Sequence, residues 1–561
     1  MGSNGCYFVI RNMRKLILSV FFIAVATTLY SRNSDREFRE SCTSIMVGKK
    51  ASVDGSVITS HTCDGRFRTW MTVTPAQKHE KGAVTKILKG TLFTESPDEA
   101  KQIEREGKNY KRPENIIFHP SFEVALEVKG EIPEAEQTYA FFNTAYPCMN
   151  EKNLAIGETT IEGRDELANE NGMFYIEELQ RIVLQRCTTA REAIKLMGSL
   201  VKQYGYADIG ECLTIADKNE VWHFEIFGEG PDNIGGVWAA QRIPDDHVGI
   251  SANIPRIGEI DVNDKDNFMA SENVFEVAKK RGYWDGESTF NFWKAYSKEE
   301  KPFSIREWFV LSSVAPSLRL SMNDEELPFS VKPEKLVSVQ DVLKFFRETY
   351  EGTEYDMTQN LLMKRKKSGS DETEMVKSPY AQPWLLANLI ATYNTIGEGT
   401  VKNVRCIAVP QCAYAHVIQI RGYLPDEIAC VAYIAVDNPA QSPRIPVYAG
   451  ILQTSELFQL SGHKRYTTDA GAWIYRQANK LASIRWEELR GKIETQRDCF
   501  ETKMFAEQVR IDSEAAALFK EKGEQAGREF LTNYVTGFAA ETADAWKRLN
   551  DELWYVFIRG L

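Results

Sequence analysis

The stretch "RESCTSIMVGKKASVDGSVITSHTCDG", residues 39–65, decides the fold. A polar, arginine-rich run gives way at Cys42 to alternating apolar and small residues. "CTSIMVG" reads as a strand, "KKASVDG" carries an Asp54-Gly55 turn signal, and "SVITSHT" reads as the returning strand. Two such runs joined through Asp-Gly predict a β-hairpin. Cys42 stands on the seam, where a polar leader ends and a folded region begins.

Upstream of the seam, Arg11, Arg14 and Lys15 precede "LILSVFFIAVATTLY", residues 16–30. A basic patch, a short apolar run and then small and polar residues read as a secretory signal over residues 1–30. Residues 31–41, "SRNSDREFRES", then read as a propeptide. An uncleaved anchor is the competing reading, but the run is short for a span. No later stretch reaches the roughly 18 apolar residues a membrane helix needs. The expectation is export to the periplasm or the cell exterior, with no stable membrane span after processing.

The whole chain has 561 residues, 43% hydrophobic and 11% aromatic, with a net charge of -11. This is a globular composition, long enough for a large core and more than one structural unit. No basic stripe is present, which argues against nucleic acid as a partner. The ten cysteines show no C-x-x-C pair and no close spacing with histidine. Neither a zinc site nor a disulfide-rich scaffold is therefore written in their spacing. Most read as small buried hydrophobes, with one or two disulfides left open.

Beyond the hairpin, a polar excursion covers residues 76–115. "FEVALEV", "TYAFFNTAYP" and "NLAIGETTI" read as strands. "FYIEELQRIVLQRC" and "TAREAIKLMGSLVKQYG" carry apolar residues three and four apart and read as amphipathic helices. "ECLTIADKNEVWHFEIFG" returns to strands around a polar turn. Residues 364–377, "KRKKSGSDETEMVK", read as a charged surface loop. "VRCIAVP", "AHVIQIRGYLP" and "IACVAYIAVDNP" read as strands again, and from about residue 468 the pattern is helical. Hairpins, then helices, then hairpins do not make the regular alternation of a doubly wound parallel sheet. They suit antiparallel sheets covered by helices.

G-x-S-x-G, H-E-x-x-H, G-x-x-x-x-G-K-[ST] and G-x-G-x-x-G are all absent. What remains is Cys42. If the leader and propeptide are removed, it becomes a terminal cysteine that carries its own base. An α-amine with pKa about 7.7–8.0 is matched to a thiol of about 8.5. The amine takes the thiol proton, and the thiolate attacks a carbonyl. Removal of the upstream chain is then the activation step, by a trypsin-like protease at Arg36 or Arg39 or by Cys42 itself.

"CTSIMVGKKASVDGSVITSHTCD" resembles the opening of the cysteine dipeptidases of the N-terminal nucleophile (Ntn) hydrolase superfamily, distant relatives of choloylglycine hydrolase and penicillin V acylase. "MNEKNLAIGETTIEGRDEL", "ECLTIADKNEVWHFEIFG", "ISANIPRIGEID" and "GYLPDEIACVAYIAVDNPAQSPRIPVYAG" resemble further blocks in the same order. The resemblance implies an α+β fold, the four-layer αββα sandwich of two antiparallel sheets, over residues 42–467. Residues 468–561 form a helical extension that packs on the sandwich or joins copies into a homo-oligomer. It implies Cys42 as nucleophile and Asp64 as the acid beside it. Asn253 is implied as an oxyanion donor, with a backbone N–H at Thr160 as the second. His61 falls where relatives carry arginine, in an Arg-x-x-Asp pattern that here reads His-Thr-Cys-Asp. An always-charged fork becomes a group titrating near pH 6.5. His61 and Arg256 are candidates for substrate binding, Arg256 facing a substrate carboxylate or forming a surface salt bridge. Cys63 reads as buried. No metal or organic cofactor is implied, and small peptides are the implied substrates. The activity implied is dipeptide hydrolysis through a thioester. Three alternatives stand beside it: an acylase on N-acyl amides of bile-salt or penicillin V type, a non-catalytic exported binding protein with a structural Cys42, and a lipoprotein anchored through cysteine, which the position of Cys42 about ten residues beyond the apolar run argues against.

Overall fold

A computed structural model of the protein describes residues 41–111, 127–463 and 465–560. The expected signal and all but the last residue of the expected propeptide lie outside the described residues.

The hairpin forms as the alternation predicts. Strands Ser41–Val47 and Val57–Asp64 pair antiparallel, with Ser41 opposite Asp64 and Cys42 opposite Cys63. Gly55 supplies the left-handed residue of the connection at φ 79°. Asp54 Oδ1 accepts from the Ser56 backbone N–H at 3.1 Å and from Ser56 Oγ at 2.6 Å, closing the turn locally.

This hairpin is the centre of a seven-stranded antiparallel sheet. Strand Val248–Ser251 flanks it on one side and Cys412–Ile420 on the other, continued by Cys430–Val436 and Ile445–Tyr448. A second antiparallel sheet, of eight strands, includes Ala155–Thr160, Gly210–Ala216, Val221–Gly228 and Gly236–Ile243 as sequential neighbours.

Hydroxyls hold the two sheets together near the hairpin. Ser44 Oγ lies 2.6 Å and Thr59 Oγ1 2.7 Å from Thr214 Oγ1, and Thr159 Oγ1 lies 2.6 Å from Ser251 Oγ. All five residues are fully buried. Gly157 sits in the same seam. A Cβ there would lie 2.0 Å from the Ser60 carbonyl oxygen and 2.5 Å from Thr214 Oγ1.

The two amphipathic helices form at Ile176–Arg186 and Ala190–Tyr204. The second opens with a Thr189/Glu192 capping box. Its Gly198 lies against Trp238 of the second sheet. Helices Gly471–Ile484, Trp486–Lys522 and Glu524–Gly560 form the C-terminal region. They dock on the far strands of the first sheet, where Asp512 accepts from Arg421 and, at 2.8 Å, from Tyr448 Oη. Among the described residues no helix is long and apolar enough to cross a membrane. The fold is α+β, with antiparallel sheets and a helical C-terminus.

Two segments differ from their sequence reading. "VRCIAVP" is an irregular segment and not a strand. Its backbone bonds outward: Ala408 N–H donates to Glu348 O at 3.1 Å, and Ala408 O accepts from Trp384 Nε1 at 3.0 Å. A short apolar run bounded by proline fits either a strand or a buried crossing. The charged segment is no loop either. Leu362–Lys366 and Thr373–Lys377 form an exposed two-stranded hairpin. Its basic arm meets an acidic return arm, with Arg365 at 2.8 Å from Glu374 and Lys367 at 2.9 Å from Glu372. The like-charge run therefore finds opposite charges one turn later.

Candidate active site

Cys42 lies on the inner face of the first strand, fully buried where the two sheets meet. Side chains alternate along a strand, so Cys42 shares its face with Ser44, which reaches the second sheet. The register places Cys63 on that same face, directly across from Cys42.

The backbone nitrogen of Cys42 donates to Asn253 Oδ1 at 2.8 Å. Asn253 follows strand Val248–Ser251 in the left-handed region at φ 65°, which asparagine tolerates better than most residues. Its Nδ2 donates to the carbonyl oxygen of Thr160 at 2.8 Å. The structure thus joins Cys42, Asn253 and Thr160 in one chain of hydrogen bonds, with Thr160 entering through its carbonyl.

Asp64, fully buried, ends the second strand of the hairpin. Its Oδ2 accepts from Thr62 Oγ1 at 2.9 Å and from Arg405 Nη2 at 2.7 Å. The same Nη2 donates to Ser41 Oγ at 2.7 Å. Asp64 and Arg405 therefore bracket the residue that precedes Cys42. Arg405 lies in the irregular segment misread as a strand, which is why its role is invisible in the sequence.

Arg306 is the second arginine that sequence reading misses. It sits in the first turn of helix Ile305–Val314, opened by a Ser304/Glu307 capping box. Its Nη1 donates to Cys42 O at 2.7 Å, and its Nη2 to Ala252 O at 2.7 Å and Asn253 Oδ1 at 3.0 Å. One guanidinium thus ties the strand that carries Cys42 to the asparagine. "SIRE" is legible as a helix start, but the target of its arginine is more than fifty residues away in sequence.

His61 is fully buried, packed edge-on against Tyr146 and tilted against Tyr414 and His416. Its Nδ1 lies 2.7 Å from the Glu158 carbonyl oxygen. Burial pushes its pKa down to about 4, against the pull of that carbonyl. The ring is therefore neutral at ordinary pH. A carbonyl only accepts, so Nδ1 carries the proton and Nε2 the lone pair. Glu158 lies in the stretch "NLAIGETTI", whose alternation marks a strand but not the carboxylate's place beside His61. Its carboxylate lies 3.7 Å from His61 Nδ1. It neighbours Glu211, whose own pKa is driven well up by burial and then by Glu158.

The Cys42 thiol is held well above its usual pKa. Burial is the main cause, and Glu158, Cys63 and Asp64 add to it, while the Asp64 backbone N–H works the other way. With Ser41 in peptide linkage the thiol stays protonated.

Arg256 lies deeper and is buried. Its guanidinium donates to Pro302 O at 2.6 Å and to Pro328 O at 2.5 Å. Its backbone N–H, with that of Ile257 at 3.2 Å, meets Glu225 Oε1. Glu225 in turn is 2.7 Å from His223 Nε2. This network anchors the "SANIPR" segment that carries Asn253. Cysteines 42, 63, 148, 187, 212, 406, 412 and 430 are buried thiols, and none is in a disulfide.

Residues 41–498 match the family model described as Peptidase family C69. Over 435 residues the chain is 27% identical to the "Probable dipeptidase" of Latilactobacillus sakei, covering 76% of this chain and 78% of that one. It is 24% identical over 507 residues to the "Probable dipeptidase B" of Streptococcus pyogenes serotype M1, covering 90% of each. It is 26% identical over 432 residues to the "Probable dipeptidase B" of Lactococcus lactis, covering 74% of this chain and 75% of that one. With a match that spans most of its length and takes in every residue of the candidate site, the chain belongs to peptidase family C69 and is a cysteine-type peptidase.

Proposed function

We propose that the protein is an exported dipeptidase in which Cys42, freed of the residues before it, acts as an N-terminal nucleophile. The two large antiparallel sheets are on this reading the middle layers of a four-layer Ntn sandwich. The observation that carries the reading is the 2.8 Å contact between the Cys42 nitrogen and Asn253 Oδ1. It sets the atom that becomes the α-amine against the residue assigned to the oxyanion. The names of the relatives, dipeptidases, support the substrate class.

In the mature chain the α-amine takes the thiol proton. The thiolate attacks the scissile carbonyl, and the second N–H of Asn253 Nδ2 donates to the oxyanion, together with the Thr160 backbone N–H. The ammonium returns its proton to the leaving nitrogen. Water then hydrolyses the thioester. Asp64 holds the new ammonium, a charge that opposes the upward push of burial on the thiol.

Three measurements test this together. The mass of the active enzyme places its first residue at Cys42. The Cys42→Ser variant loses at least about 10³-fold in kcat/KM. Cys63→Ser stays within a few fold. Hydrolysis is read on dipeptides and on N-acyl amino acids side by side. Full activity with Ser31 or Arg32 at the N-terminus would sink the mechanism, and preference for N-acyl amides would move the substrate to the acylase class.

A further inference from the structure

Cys42 Sγ, a ring nitrogen of His61 and a carboxylate oxygen of Glu158 all lie within 4.8 Å of one another. All three residues are fully buried. They come from three strands and both sheets, so the fold and not a local turn brings them together. A thiol, an imidazole and a carboxylate are the donor types of a zinc-class cation, with bonds of about 2.3, 2.0–2.1 and 2.0–2.2 Å. Tetrahedral ligands at those lengths stand roughly 3.3–3.6 Å apart. Ligation therefore requires the Cys42 and Glu158 side chains to turn toward His61 Nε2, the Glu158 carboxylate lying 3.7 Å from Nδ1 in this structure.

His61 supplies the second, independent observation. Its Nδ1 is engaged by the Glu158 carbonyl at 2.7 Å. Its Nε2 is buried and has no hydrogen-bond partner among the described residues. An imidazole whose other nitrogen is bound to a carbonyl is the usual form of a metal-ligating histidine. The charges also close. A thiolate and a carboxylate side by side repel in a buried site, and a dication with a neutral imidazole brings the total to zero.

We infer that Cys42, His61 and Glu158 form an inhibitory site for a divalent cation of the zinc class. On binding, the thiol proton leaves to solvent and the sulfur lone pair goes to the metal. The fourth coordination position stays open to water. The sulfur so held is no longer a nucleophile, so metal occupancy and peptide hydrolysis exclude each other. The site uses the nucleophile assigned under the proposed function but is read by metal binding alone, so the two readings fail separately.

The experiment is a cobalt(II) titration of the full chain and of the chain beginning at Cys42, followed by absorption and by equilibrium dialysis. Stoichiometric cobalt should produce a sulfur-to-cobalt charge-transfer band that zinc then displaces. The band should vanish in Cys42→Ser and persist in Cys63→Ser. In His61→Gln and Glu158→Gln, affinity should fall by more than the roughly 100-fold at which loss of an outer partner tops out. The band in the unmutated protein already identifies sulfur ligation, whatever the variants do to folding. No band at stoichiometric cobalt in either chain, or a band that survives Cys42→Ser, overturns the site. A chain that hydrolyses dipeptides but binds no cobalt overturns the site and leaves the function. Cobalt bound through Cys42 without dipeptide hydrolysis does the reverse.

Discussion

At the scale of single residues, Asn253 does three things at once. It accepts from the Cys42 nitrogen, accepts from Arg306, and donates to Thr160. Replacing it with alanine leaves the Cys42 N–H and one Arg306 N–H without this acceptor and, on the proposed mechanism, removes one oxyanion donor. Asn253→Ala should lower kcat by about 10²–10³-fold while KM changes little, as steady-state kinetics on one dipeptide will read. Cys42 stood out from the seam in the sequence, and Asp64, Asn253 and Thr160 came from the family resemblance; the structure brings Cys42, Asn253 and Thr160 into one chain of hydrogen bonds and sets Asp64 opposite Ser41. Arg306, Arg405 and Glu158 were not legible. Their partners are distant in sequence, and a lone charged residue carries no mark of what it faces until the sheets are assembled.

At the scale of elements, the central hairpin was readable to within a residue or two because alternation and an Asp-Gly turn agree. Its second strand also carries a pH response that follows from burial. Above pH about 6.5 His61 is neutral in the folded and the unfolded chain and contributes nothing. As pH falls, the unfolded chain binds a proton that the native ring, with its pKa near 4, refuses. Stability therefore falls across that window, by about 3 kcal/mol when complete. His416 on the neighbouring strand acts in the same direction, through burial and then through His61 and Arg444. Urea midpoints taken from neutral pH down to about pH 5 should drop in the wild type and drop less in His61→Gln. An unchanged slope would mean that the ring is not shielded as described. The segment holding Arg405 was misread at this same scale, since a buried crossing and a buried strand share one apolar pattern.

At the scale of the whole molecule, the C-terminal helices are tied to the first sheet by a buried charge. Arg421 donates to both oxygens of Asp512, and Tyr448 Oη adds a third bond at 2.8 Å. Asp512→Ala strands a buried guanidinium and should cost about 3–5 kcal/mol in urea unfolding. Nothing in the helical periodicity of residues 468–561 announces that contact, because periodicity names a buried face and not what covers it. The join between the sheets is tighter still. Gly157→Ala pushes a methyl onto the Ser60 carbonyl, and should destabilise at the upper end of about 1–3 kcal/mol, read as a lowered Tm. That seam of serine and threonine hydroxyls around Gly157 has a further consequence. Greasy layers can slide past one another at little cost, but hydrogen bonds between fixed hydroxyls exist at one alignment only. The seam works as a vernier. It sets the offset between the two sheets, so that Cys42 on one layer and Glu158 on the other meet at one place and no other.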